Sequence, residues 1–472
     1  MKVLYAVSEA APFIKTGGLA DVAGSLPAAL CRSGADVRVV LPLYSDISAV
    51  HREKMHFCFY TYVKLAWRNV YCGVLSLQEN GVTYYFIDNE SYFKREGVYG
   101  FYDDGERFGF FCRAVIEIIP LLGWKPDIIN CNDWQTALIP IYLKQEPSEF
   151  YRSIRTVFTI HNIEYQGRFG ENTLGDLFGL SQELYSTGII RYNNDVNLMK
   201  GAIYQADFIT TVSPSYCMEL REPFFGSGLH NVIRDNSYKF SGILNGIDTE
   251  KYNPETDPAI PAAFSESNLS GKSQCRRELC RTLGFDSQDS SPIISCVSRL
   301  VSHKGFDLVA QALETIVSKN LRLVILGTGD KGFEQYFRDA EGRHSGRVSA
   351  NIMYSEERAM LVYSGSDMLL MPSRSEPCGL SQMIAMRYGT LPIVRSVGGL
   401  RDSVRNHRSE NANGFTFYDY SAEAMLGAID DAINTFAVPG EWADLMANAM
   451  TSDFSWDASA GEYMKIYETL LR

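Results

Sequence analysis

Short β-branched apolar runs alternate with helix-patterned stretches over nearly the whole chain, and this alternation restricts the fold more than any other feature. Val37 to Leu41, Val82 to Ile87, Asp127 to Cys131, Thr156 to Ile160 and Phe208 to Val212 form one series. Ile293 to Val297, Leu321 to Leu326, Asn351 to Tyr354, Met368 to Met371 and Leu391 to Val394 form a second. Strands that are apolar throughout must be covered on both faces, as in parallel sheets flanked by helices. The pattern predicts an α/β chain with two Rossmann-like, doubly wound domains, one for each series. At 472 residues the chain is too long for a single ordinary core.

The segment Gly242-Ile243-Leu244-Asn245-Gly246-Ile247-Asp248, followed by a Pro-, Asp- and Ser-rich stretch from Asn253 to Ser270, has the chemistry of a domain junction. The expected division is 1–241 for an N-terminal domain, 242–452 for a C-terminal domain, and 453–472 for a terminal helix. Trp456, Ala460, Tyr463, Ile466, Tyr467 and Leu470 fall on one face of that helix, and Ser455 can cap it. An aromatic stripe of this kind needs a surface to cover, and the expected surface is the first domain. Open parallel sheets bind ligands outside the carboxyl ends of their strands. Two such domains facing a cleft place the most weight on residues just after strands.

After the opening strand comes Lys15-Thr16-Gly17-Gly18-Leu19-Ala20-Asp21-Val22, with helical spacing from Leu19 to Leu30. Amides near Gly18 at a helix N-terminus, with Lys15 beside them, make an anion site. Asn132-Asp133-Trp134 and His161-Asn162 follow two other strands of this domain. His161 suits a polar substrate, and Asp133 can orient a hydroxyl or support positive charge.

In the second series, Arg299 and Lys304 follow the first strand, a guanidinium fork and a mobile ammonium suited to a pyrophosphate. Ser373-Arg374-Ser375-Glu376-Pro377-Cys378-Gly379-Leu380-Ser381-Gln382 follows Met368 to Met371. Glu376 can accept hydrogen bonds from sugar hydroxyls or face a developing cation, while the amides of Cys378, Gly379 and Leu380 can bind an anion. Gly379 is expected to open the next helix. Cys378 has no adjacent histidine to activate it, so a structural or binding role fits it better than nucleophilic attack.

The net charge of −12 leaves no general basic face for nucleic acid. No apolar run is long enough to span a bilayer, and no export signal is visible. The ten cysteines form no C-x-x-C pair and no metal-ligand spacing with the seven histidines. The expectation is a cytoplasmic protein with reduced thiols and no metal site.

Taken in order along the whole chain, these motifs closely resemble the bacterial glycogen synthase and plant starch synthase family. Asn245-Gly246-Ile247-Asp248, Tyr388-Gly389-Thr390 and Gly398-Gly399-Leu400 add to the match. The resemblance implies a metal-independent GT-B glycosyltransferase with no cofactor. It would move glucose from ADP-glucose to the non-reducing end of an α-1,4-glucan with retention, by front-face attack in which the departing phosphate takes the acceptor proton. It places Lys15 and Gly18 at the distal phosphate or sugar, and Asp21 at the ribose or neighbouring loop. His161 and Asp133 lie at the glucosyl unit, Arg299 and Lys304 at the departing ADP, and Tyr354 along the adenine. Glu376, with the Cys378 and Gly379 amides, holds the glucose hydroxyls. Asn162, Asn245, Leu380 and Ser381 join the substrate-binding residues. Two positions depart from the pattern. Ile384 stands where many retaining GT-B enzymes carry a second Glu, and Asn130 where many relatives carry His. The competing expectations are a GT-B transferase using UDP-glucose and a glucan-binding protein without catalysis.

Overall fold

The apolar runs form the central strands of two sheets in a computed structural model that describes residues 1–472. One unit comprises Met1–Gly246 with Trp456–Arg472, and the other Ile247–Ser455.

The sheet of the first unit has nine strands. Their spatial order is Phe240–Gly242, Phe208–Thr211, Arg155–Ile160, Ile128–Asn132, Lys2–Ala6, Asp36–Pro42, Val82–Asp88, Arg68–Glu79 and His56–Leu65. All neighbours are parallel except the two pairs that involve Arg68–Glu79. From Lys2–Ala6 the chain builds outward to Asp36–Pro42, then returns to the other side at Ile128–Asn132. The order therefore reverses between Lys2–Ala6 and Ile128–Asn132, and a crevice forms outside the carboxyl ends of strands at such a reversal.

The second unit carries six parallel strands in the order Val348–Asn351, Arg322–Leu326, Ile293–Val297, Met368–Met371, Leu391–Arg395 and Phe415–Phe417. In chain order this is 3-2-1-4-5-6, the doubly wound pattern, with its reversal between Ile293–Val297 and Met368–Met371. The expected α/β architecture of parallel, helix-covered sheets is the one observed.

The terminal helix Trp456–Leu471 packs against Gly18–Arg32 in the first unit, as its aromatic stripe implied. Trp456, Ala460, Tyr463 and Tyr467 are buried. The Tyr467 hydroxyl donates to Asn130 Oδ1 at 3.0 Å, and Ser459 Oγ donates to the Leu244 carbonyl at 2.6 Å.

Three local expectations need correction. The strand placed at Asn351 to Tyr354 is Val348–Asn351. Met353 N–H turns back to the Asn351 carbonyl, and Ser355 then caps Glu356–Gly365, so the apolar Ile352-Met353 pair lies in a turn. Gly379 does not open a helix. The helix is Ser381–Arg387, only seven residues long, with Leu380 at its N-cap. The antiparallel strands His56–Leu65 and Arg68–Glu79 were not anticipated; His56–Leu65 buries only Val63 and Leu65, so it lacks the wholly covered character of the central parallel strands.

The Tyr388-Gly389-Thr390 motif has a structural explanation. Buried Lys272 donates to the carbonyls of Ser364, Ser366 and Tyr388 and to Thr390 Oγ1 at 2.7–3.2 Å. Burial lowers its pKa to about 8. No helix is long and apolar enough to cross a membrane, and no cysteine is in a disulfide.

Candidate active site

Each unit gathers its polar residues at the reversal of its strand order. In the first unit, Lys2–Ala6 leads to Ser8 and Glu9, then to the loop before Gly18–Arg32. Gly17 occupies the N-cap without a side-chain cap, and the Gly18 and Leu19 amides have no backbone acceptor. These are the donors that a helix start offers to an anion. Lys15 Nζ stands 2.8 Å from Asp21 Oδ1, so Asp21 anchors the neighbouring loop.

Glu9, unnoticed in the sequence, organises that loop from beneath. Its carboxylate accepts from the Thr16 amide and, at 2.8 Å, from Thr16 Oγ1. Burial raises its pKa, opposed by hydrogen bonds from Thr16, Gly17 and Tyr99. Tyr99 in turn meets Ser8 Oγ at 2.7 Å. The only signal in the sequence was position, a carboxylate just past the first strand.

Asp133 follows Ile128–Asn132 with φ 55° and ψ −178°, a conformation that costs a non-glycine residue about 1–3 kcal/mol. Its Oδ1 accepts from the His161 amide at 2.8 Å and the Asn162 amide at 3.4 Å, joining two strand ends. Burial nonetheless raises its pKa to about 7.

The His161 ring is set by Asn132. Asn132 Nδ2 donates to the Ala6 carbonyl at 2.9 Å, which identifies its Oδ1 as the acceptor of both the Tyr5 hydroxyl and His161 Nε2, each at 2.9 Å. His161 therefore carries its proton on Nε2 and keeps Nδ1 as an acceptor. Burial lowers its pKa to about 3, so the ring is neutral near pH 7. Asn162 Oδ1 accepts from the Glu164 amide at 3.0 Å. Asn130, by contrast, is fully buried between Thr159 and Tyr467 and lies within the core. Asn245 is also buried, and its Oδ1 has no hydrogen-bond partner.

In the second unit, Lys304 and Glu376 come from the ends of neighbouring parallel strands, Ile293–Val297 and Met368–Met371. Lys304 Nζ reaches both carboxylate oxygens, at 2.8 and 2.7 Å, and Ser373 Oγ donates to one of them at 3.0 Å. Glu376 is only 5% exposed, whereas Arg299 is exposed at the same strand end. The Gly379 and Leu380 amides have no backbone acceptor.

Two glycines make this approach possible. Gly305 has φ 83°, and a Cβ there would stand 2.2 Å from the Pro372 carbonyl oxygen. Gly398 has φ 46°, and a Cβ there would stand 1.9 Å from the Glu376 carbonyl oxygen. The Gly398–Ser403 helix therefore lies directly against the Glu376–Cys378 backbone. Cys378 is buried, and Ser381 begins the short helix. Tyr354 lies on a loop and is 77% exposed. No group of three or more His, Cys, Asp or Glu side chains has the arrangement of a metal site.

Comparison with known proteins agrees with this architecture. A family model described as the starch synthase catalytic domain matches residues 2–235, and one described as glycosyl transferases group 1 matches residues 285–437. A glycogen synthase of Clostridium botulinum (strain Alaska E43 / Type E3) is 47% identical over 475 residues, covering 100% of this chain and 99% of that protein. A glycogen synthase of Geobacillus stearothermophilus is 45% identical over 476 residues, with 100% and 98% covered. The solved catalytic domain of starch synthase IV from Arabidopsis thaliana, bound to ADP and acarbose, is similar with a TM-score of 0.92 at 35% identity, covering 100% and 99% of the two chains. A sucrose-phosphate synthase from Thermosynechococcus elongatus, with a TM-score of 0.62 at 17% identity over 99% and 98%, shares the fold. The chain has the GT-B fold and belongs to the glycogen synthase and starch synthase family of glycosyltransferases.

Proposed function

We propose that this glycosyltransferase moves glucose from ADP-glucose to the non-reducing end of an α-1,4-glucan with retention of configuration. The observation that carries the reading is Lys304, held on buried Glu376 beside exposed Arg299 at the strand-order reversal of the second unit. In the reaction, the bond from glucose C1 to the diphosphate oxygen breaks and its electron pair leaves with ADP. The acceptor 4-hydroxyl bonds to C1 on the same face, and its proton passes to the departing phosphate.

Charge developing on the diphosphate is the main demand, and preorganised donors meet it best. Arg299 and Lys304 supply positive charge, and the Gly379 and Leu380 amides supply short-range dipoles. Glu376 orients Lys304 and accepts from glucose hydroxyls, with Cys378 and Ser381 framing its loop. Tyr354 stacks on the adenine.

The first unit receives the glucosyl group. Neutral His161 accepts through Nδ1 from a sugar hydroxyl, and Asp133 hydrogen-bonds beside the anomeric carbon as it gains positive character. Lys15 and the Gly18 amide meet the distal phosphate, Asp21 steadies Lys15, and Asn162 and the unpartnered Asn245 Oδ1 contact substrate. The thiol-rich, disulfide-free chain fits a reducing cytoplasm.

The decisive experiment measures ADP or UDP release from ADP-glucose and UDP-glucose, with and without glycogen. Glycogen-dependent ADP release is the expected result. Faster release from UDP-glucose overturns the donor assignment, and release from neither donor overturns the transferase reading.

A further inference from the structure

Four strand ends of the second unit are tied together along its carboxyl edge. Arg395 closes the strand Leu391–Arg395. Its Nε donates to the Tyr418 carbonyl and its Nη1 to the Arg374 carbonyl, both at 2.9 Å. Tyr420, three residues past Phe415–Phe417, then turns back along this edge. Its ring meets the Arg374 and Arg395 guanidinium groups at 5.6 and 5.5 Å from the centroid. Attraction of both cations to the ring fixes its orientation.

The hydroxyl of this ring reaches the segment that carries Lys304. It donates to Asp307 Oδ1 at 2.6 Å and shares its proton with the Ser302 carbonyl at 3.1 Å. Burial and the Asp307 carboxylate raise its pKa, so the hydroxyl stays a donor. Phe415–Phe417 lies three strands from Ile293–Val297, about 14 Å at the usual spacing, so the contact crosses two strand ends. Ser302 opens the turn Ser302–Lys304, and Asp307 lies in the first turn of the helix Phe306–Ser318. One hydroxyl therefore pins the backbone on both sides of Lys304 and Gly305.

Two backbone bonds also hold this turn. The Gly305 amide donates to the Ser302 carbonyl, and the Arg374 amide to the His303 carbonyl, both at 2.8 Å. Neither reaches the lysine side chain, and a cavity of about 10 Å³, lined also by Ser298, Pro372 and Ser373, adjoins it. A lysine is a point charge on a flexible stem, so the position of its ammonium depends on how firmly its turn is held. A half-exposed hydrogen bond adds little to folding, whereas a shift of about 1 Å in a reacting group is costly to turnover.

We propose that Tyr420 is a positioning residue for the transfer reaction, whose hydroxyl braces the Ser302–Lys304 turn and so keeps the Lys304 ammonium on Glu376 and at the departing diphosphate. The inference rests on the assignment of Lys304 given above. It extends the donor site to a residue that acts only through Lys304.

The test is a double-mutant cycle of Tyr420→Phe and Lys304→Ala, since phenylalanine keeps the ring and removes only the hydroxyl. Transfer to glycogen and thermal melting are measured for all four proteins. Tyr420→Phe alone should lower kcat/KM for ADP-glucose about threefold or more, with KM for glycogen and the melting temperature unchanged. In the Lys304→Ala background the same change should have no further effect, because the ammonium it positions is gone. A smaller loss in the single variant overturns the proposal, as does an equal loss in both backgrounds. A lowered melting temperature with a raised KM for glycogen assigns Tyr420 to general folding and also overturns it. If Lys304→Ala alone transfers glucose at the wild-type rate, the Lys304 assignment fails and this inference falls with it. A disabled Lys304→Ala beside an unaffected Tyr420→Phe sinks this inference alone.

Discussion

Lys304 grips Glu376 through both carboxylate oxygens, at 2.8 and 2.7 Å, from the ends of two adjacent parallel strands. Neither residue is near the other in sequence, and Glu376 is almost wholly removed from water. A buried carboxylate deprived of its cation is costly, by about 3–5 kcal/mol for a buried pair. Lys304→Ala should therefore lower the unfolding free energy as well as turnover. Glu376→Gln should retain more stability, because the amide still accepts from Ser373. Loss of donor-charge stabilisation should reduce turnover about 100-fold or more in Lys304→Ala. Glucan elongation from ADP-glucose at the wild-type rate in this variant would remove Lys304 from the reaction.

Gly305 gives a prediction about positioning. Its φ of 83° and the Pro372 carbonyl 2.2 Å from a built Cβ make Gly305→Ala doubly strained. The expected loss is about 2 kcal/mol or more, with a raised KM for ADP-glucose as Lys304 shifts. Gly342→Ala is the comparison, because nothing lies within 4 Å of its Cβ position and it sits inside the Lys331–Arg343 helix. That change should be neutral or stabilising by up to about 1 kcal/mol. Calorimetry on both variants tests the pair, and equal melting temperatures would refute the steric argument.

Asp133 should be visible in the pH dependence of turnover. Burial places its pKa at about 7, so it is mostly protonated below that pH and ionised above it. We expect kcat/KM to inflect near pH 7 in wild type and to lose that inflection in Asp133→Asn. An unchanged profile in the variant would assign the inflection to another group.

His161 bears on the pH dependence of stability. Its native pKa of about 3 lies below the value of about 6.5 expected in an unfolded chain. Between these values the unfolded state binds more protons, so this group lowers stability as pH falls from about 6.5 towards 3. His161→Gln should flatten that part of the curve in chemical denaturation measured from pH 7 to 4.5. Nitrogen NMR should show an Nε2–H neutral ring at pH 6, and a titration midpoint near 6.5 would contradict the assignment.

The terminal helix is held to the first unit by a long-range bond from the Tyr467 hydroxyl to buried Asn130. Tyr467→Phe should cost about 1–3 kcal/mol, because it leaves the Asn130 oxygen without that donor. Removing residues 453–472 should cost far more, since it exposes the surface that Trp456, Tyr463 and Tyr467 cover. Unchanged thermal stability after truncation would show that the helix contributes nothing to the unit.

Much of this organisation was legible before folding was considered. Ile293 to Val297 and Met368 to Met371 were read to the residue, because central parallel strands are apolar on both faces and end abruptly at polar loops. The edge hairpin was not legible, since its outer strand is largely exposed and buries only Val63 and Leu65, leaving no covered apolar run to mark it. The strand at Asn351 to Tyr354 was shifted, because an apolar Ile-Met pair can lie in a turn when a capping serine follows. Glu9 was missed for a different reason. Its partners Thr16 and Tyr99 reach it only after the first loop folds back and the strand end meets a distant segment.

By itself the sequence determined the two α/β series, the glycine-rich first turn and the residue types at each strand end. Those follow from local periodicity, backbone preference and the need to cover apolar faces. The tertiary structure decided which of these groups meet: Lys304 with Glu376, Asn132 with His161, and Asn130 with Tyr467 in the core instead of at the site. It also decided their charge states, placing His161 at about 3 and Asp133 at about 7. Proximity and desolvation arise from packing across the sheet, and neither is written in any local stretch of the chain.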